Sequence, residues 1–181
     1  MRNETFVAAA LLLLTVGAVA SPMDAVSSKL ERDRQARAWV SGWPKAEGKT
    51  ARAILEKYGA PAEVFADKLV WRDNGYWKTT IVHAHRDAGG SLQQSVTYDV
   101  PPGKDADLSA ISASLKVSRA GKELLATGDS EEANFLAVNL ADEVIRGIRS
   151  AGDAREFYRK TIDLASSGKS SPYMQGLLFI P

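Results

Sequence analysis

The apolar positions of this chain fall into two periods. Over residues 24–58 and 130–165 they recur at helical spacing, and over 68–127 they alternate in short β-branched runs between turn signals. Asp24 to Val40 reads as a first helix, with Asp24 as its cap and a loose stripe of Val26, Leu30 and Ala36–Val40. A second helix is predicted from about Glu47 to Tyr58, with Ala51, Ile54, Leu55 and Tyr58 on one face. Gly59 sits where a left-handed residue ends a helix, and Pro61 prevents continuation. Strands are expected at 68–72, 76–85 and 92–100, joined by Asp73-Asn74-Gly75 and by Asp87-Ala88-Gly89-Gly90.

Pro101-Pro102-Gly103 interrupts this meander, and 101–107 is the best place for a boundary between subdomains. A short helix at Asp105–Ile111 and a second hairpin, 115–119 with 123–127, follow. Ser130 caps the longest stripe in the chain, Ala133, Leu136, Ala137, Leu140, Val144 and Ile148, predicting a helix to about Arg149. Asp153 with Glu156 opens a last helix to about Ala165, and Leu177–Ile180 is apolar enough to return as a small strand. The order implies an α+β fold: an antiparallel sheet of about five strands with an N-terminal and a C-terminal helix pair packed on it.

The N-terminus changes the picture. Arg2 precedes an uncharged run from Phe6 to Ala20 that ends in Ala18-Val19-Ala20, followed by Ser21-Pro22. This has the layout of a secretory signal with cleavage near Ala20. It is shorter than the roughly 20 apolar residues that a spanning helix needs. The expected organisation is therefore a signal peptide over 1–20 and a single domain over 21–181. The expected destination is the periplasm or the medium, with no transmembrane segment after cleavage. The chain has no cysteine, so disulfides, thiol catalysis and thiolate metal sites are excluded, as is lipid attachment through cysteine. A net charge of +1 with no dominant basic patch argues against nucleic acid as a partner.

Candidate chemistry is sparse. His83 and His85 are the only histidines, and Asp87 follows. Residues two apart on a strand share a face, so these three form a partial metal-ligand set. The spacing echoes the His-x-His-x-Asp element of metallo-β-lactamase-like hydrolases, but Ala88 stands where those enzymes place a further histidine. A metal-dependent hydrolase on His83, His85 and Asp87 is the alternative functional reading. Gly48-Lys49-Thr50 matches only the end of a phosphate loop, and no Gly-x-Ser-x-Gly elbow is present. Trp71, Tyr76 and Trp77 flank the Asn-Gly turn and could present a flat aromatic face, although large aromatics more often plug a core. Asn139 borders the long apolar stripe; it ties the helix to a neighbouring backbone or contacts a ligand. No cofactor is called for.

Ala53-Ile54-Leu55-Glu56-Lys57-Tyr58-Gly59-Ala60-Pro61, followed ten residues later by Trp71, resembles the helix–Gly-x-Pro–strand module of SmpA/OmlA-type bacterial envelope proteins. The resemblance covers residues 50–83. It implies a non-catalytic envelope protein that binds other proteins, and it carries over no functional residue. Those proteins are anchored through a lipidated cysteine, which this chain lacks. The expected function is that of a soluble exported protein that binds a protein or envelope component rather than a small molecule.

Overall fold

The computed structural model describes residues 22–87 and 89–181; the expected signal peptide, residues 1–20, lies outside them. The chain is α+β, with helices α1 (Pro22–Ser41), α2 (Lys45–Tyr58), α3 (Asp105–Ile111), α4 (Glu131–Ile145) and α5 (Ala151–Ser166). Strands β1 (Glu63–Val64), β2 (Lys68–Asn74), β3 (Trp77–His83), β4 (Leu92–Thr97), β5 (Lys116–Ser118) and β6 (Glu123–Gly128) form one antiparallel sheet in the order β1-β2-β3-β4-β6-β5. The strand beyond the expected five is β1, a two-residue edge after the Gly-x-Pro stop.

Register explains the core. Leu69, Val82 and Leu92 lie side by side across β2, β3 and β4, as do Val96, Leu124 and Val117 across β4, β6 and β5. Alternation puts both rows on one face of the sheet. Ala36 and Val40 of α1 with Ala51, Ile54 and Leu55 of α2 close the first row into one apolar cluster. The second row joins Leu108 and Ile111 of α3, Phe135, Leu136, Ala137, Val138, Leu140 and Ala141 of α4, and Ala154 of α5 in another. Val100 and Leu108 belong to that same cluster, so the segment between them bridges one packed unit. Tyr58, at the end of α2, packs against both clusters.

Several local expectations change. Positive φ falls on Asp73 (49°) and Gly75 (66°), not on Asn74, which stays in the ladder opposite Trp77. The long helix stops at Ile145, because Gly147 at φ 72° turns the chain and Ile148 donates its N–H to the Glu143 carbonyl. Ile148, expected on the buried stripe, is therefore exposed. The cap of α5 is Ser150 rather than Asp153: its Oγ accepts the Asp153 N–H at 3.1 Å and donates to Asp153 Oδ2 at 2.6 Å. Residues 177–180 form no strand. They follow a 3-10 turn, Pro172–Met174, as an irregular strap over α4.

Candidate functional site

A polar seam runs between the two apolar clusters. It follows from the register row Trp71–Thr80–Gln94–Ala126, which puts a hydroxyl and an amide on the core face in mid-sheet. Gln94 Nε2 donates to Thr80 Oγ1 at 3.3 Å, and so does Asn74 Nδ2 at 3.0 Å. Asn134 of α4 donates to Gln94 Oε1 at 2.9 Å and to the Leu92 carbonyl at 3.1 Å. Buried polar groups must be satisfied in this way. Among the described residues, the Asn74 Oδ1 atom is buried without a partner.

The seam ends at Glu131, the first residue of α4. Its carboxylate is buried, in the first turn where the helix dipole favours a negative charge. Oε2 accepts Lys57 Nζ, and Oε1 accepts Tyr58 Oη, Trp77 Nε1 at 2.7 Å and Gln94 Nε2 at 3.4 Å. Burial pushes this carboxyl up, but the bonds from Lys57, Tyr58 and Trp77 outweigh it and hold the group below the ordinary carboxylate range. Burial, followed by the bond to Glu131, pushes the Tyr58 phenol well above its usual value. A cleft of about 300 Å³ opens beside Glu131, lined by Lys49, Thr50, Ile54, Lys57, Asp129 and Glu132. Glu131 takes donors on both oxygens from three other elements, and so ties α2, β3 and β4 to α4.

A second cluster lies along the other end of α4. Tyr98 Oη donates to Asp142 Oδ1 at 2.8 Å, and Arg146 pairs with the same carboxylate at 3.2 Å. Arg149 pairs with Glu143 at 2.6 Å, and Tyr173 Oη also donates to Glu143. Between these pairs sits Asn139, 2% exposed. Its Nδ2 donates to the carbonyls of Tyr173 (3.0 Å) and Gly176 (2.8 Å), and its Oδ1 accepts the Leu178 N–H at 2.8 Å.

The structure disperses the residues singled out from the sequence. Trp71 and Trp77 are core residues, 3% and 1% exposed, and do not present the flat face that was one reading of the hairpin. Trp71 Nε1 donates to the Gly59 carbonyl, and Trp77 stacks on Phe135 with centroids 4.8 Å apart. Tyr76 alone of the three is exposed, lying edge-on to Phe135. Asn139 is spent on the chain's own backbone, so the ligand-contact reading gives way to the structural one. Strand β3 ends at His83, so His85 lies in the following bend and the alternation that would align the two imidazoles has stopped. Asp87 Oδ1 accepts the N–H groups of Gly89 (2.8 Å) and Gly90 (3.2 Å), which fixes the turn. Among the described residues no three His, Asp or Glu side chains converge as metal ligands.

Sequence reasoning missed Glu131: with Glu132 it is one of two carboxylates in the first turn of α4, and nothing in its local pattern marks it as buried. The signal was its place one residue after the cap, where a first-turn side chain can turn back toward the sheet. Comparison with protein-family models, with curated proteins and with solved structures finds no match.

Proposed function

We propose that this chain is an exported, non-catalytic binding protein of the cell envelope. The observation that carries this reading is the one-sidedness of the sheet. All five helices pack over the face that bears Leu69, Val82, Leu92 and Leu124, directly or through α4. The opposite face has the rows Val70–Ile81–Gln93–Thr127 and Arg72–Thr79–Ser95–Leu125–Lys116, and no described helix lies over it. Antiparallel sheets can leave one face to solvent; on this one Val70, Ser95 and Thr127 are buried, Ile81, Gln93, Thr79 and Leu125 are half-buried, and Arg72 and Lys116 are exposed.

The charge of that face suggests the kind of partner. Lys68, Arg72, Lys78 and Lys116 stand on it or at its rim, against Glu63 and Glu123. Both acids are already paired, Glu63 with Arg72 and Glu123 with Lys78 at 2.8 Å. An acidic segment of an envelope protein matches what is left over. The apolar export segment and the resemblance of residues 50–83 to an envelope module support the same reading.

The test is capture from a bacterial envelope extract by the immobilised chain. A partner whose capture is lost with Leu125→Glu and Lys116→Glu, and weakens with salt, supports the proposal. Capture unaffected by both changes, with folding intact, would exclude this face.

A further inference from the structure

The strap over α4 is held in an unusual way. Asn139 spends three hydrogen bonds on it, and each goes to a backbone atom: the Tyr173 and Gly176 carbonyls and the Leu178 N–H. An amide that reads backbone fixes an extended segment's direction and register without reading its side chains. Those are read in the groove on either side. Tyr173 packs against Phe157 with centroids 5.0 Å apart and bonds Glu143. Phe179 meets the Tyr98 ring edge-on at 5.5 Å. The flank of α4 is thus built like a peptide groove, with a central polar reader and apolar sites beside it.

The tether of this segment is weak in sequence terms. Residues 166–171 read Ser-Ser-Gly-Lys-Ser-Ser, a flexible composition, and 166–170 are exposed. Beyond the bonds that close α5, Ser170 Oγ accepts the Gln175 side chain at 3.2 Å, and Ser171 caps the 3-10 turn, its Oγ accepting the Tyr173 N–H at 3.3 Å and its carbonyl the Met174 N–H at 2.9 Å. The strap itself carries no charged side chain from Ser171 to Pro181. Inward and outward positions alternate along it: Leu177 and Phe179 pack against the core, whereas Leu178 is 54% and Ile180 97% exposed. Two large apolar side chains are left facing water beside an open cleft of about 580 Å³ lined by Tyr98, Asp142, Arg146, Phe179 and Ile180.

We propose that this groove is an exchange site, and that its second occupant is the same segment, residues 173–179, of another copy of the chain. A second copy's strap would make every bond that the first makes, since the recognised atoms are identical. The Ser/Gly tether decides only which copy supplies it. Such exchange of an identical element is a low-cost route to a dimer. An empty groove is disfavoured, because Leu177 and Phe179 would leave the apolar cluster they pack against.

The absence of cysteine makes the test clean. One copy carries Ile180→Cys and a second carries Arg146→Cys, two positions on the same cleft. The copies are mixed at rising concentration, before and after joint unfolding and refolding, and treated with a short bis-maleimide. A double variant in one chain reports the closed strap. The expected result is a cross-linked heterodimer whose yield rises with concentration and is lost with Asn139→Ser. A chain shortened by Lys169 and Ser170 should shift toward a dimer by light scattering, because its own strap no longer reaches; if it does not fold, the cross-link on the intact tether decides. Cross-linking confined to the double variant overturns the proposal, as does a heterodimer indifferent to Asn139→Ser. If Leu178 exchanges its amide hydrogen far faster than α4 while no heterodimer forms, the groove opens for another peptide and the assignment to a second copy fails.

Discussion

Trp77 donates its indole N–H to the carboxylate of Glu131 at 2.7 Å, so the first residue of β3 is fastened to the first residue of α4 inside the core. The same carboxylate takes Lys57 and Tyr58 from α2 and Gln94 from β4. One side chain therefore closes the seam between the two apolar clusters. Glu131→Gln keeps the shape but gives up the charge and an acceptor. It should cost about 1–3 kcal/mol, the usual penalty for leaving buried donors unmatched. The check is a denaturant midpoint that falls with little change in slope.

The same carboxylate makes stability depend on acid. Its folded pKa lies below the ordinary value of 4.5, so it adds stability above that pH and loses it as pH falls through the folded value. Thermal midpoints measured from neutral pH down through that window should drop less steeply in Glu131→Gln than in the parent. Parallel curves would show that other carboxylates carry the acid response.

Leu140 is fully buried at the middle of α4, between Asn139 and Ala141 on a helix enclosed on most sides. Leu140→Ala should destabilise the protein by about 2–5 kcal/mol through lost transfer energy and a residual cavity. With no disulfide to hold the unfolded chain, that is a large share of the ~5–15 kcal/mol available to such a protein. Equilibrium unfolding measures it directly.

Gly90 has φ 138°, and a Cβ built there would lie 2.2 Å from the Gly128 carbonyl oxygen. The strands β4 and β6 begin and end at this contact. Gly90→Ala should cost about 1–3 kcal/mol from backbone strain alone, and more from the clash. A melting temperature equal to that of the parent would show that the turn can relax.

Asn139→Ala removes the reader of the strap but no apolar packing. Hydrogen exchange at Leu178 should accelerate much more than exchange in β3 or β4, since the lost bond is local. Equal acceleration everywhere would mean that the strap and the core open together.

The sequence by itself determined the five helices, the strands from β2 to β6, their order and the α+β class. Those follow from periodicity, caps and turn residues, all of which act within a few positions along the chain. Thus Ser130 caps α4, Gly59 ends α2, and Leu136 and Leu140 point inward as the stripe requires. It also identified Asn139 as a residue that must find a partner. Only the tertiary structure decided what that partner is, because Tyr173, Gly176 and Leu178 lie more than thirty positions away and nothing local marks them. The role of Glu131 was hidden for the same reason: on a helical wheel it is one of two first-turn carboxylates, and the donors that bury it come from three other elements. His83 and His85 show the converse. Their spacing implied a shared face, but a strand that ends one residue after Val82 leaves the second histidine in a bend, and strand ends are set by sheet pairing. What is encoded locally can be read from a window of residues. Satisfaction of buried polar groups is a property of the packed molecule and appears only there.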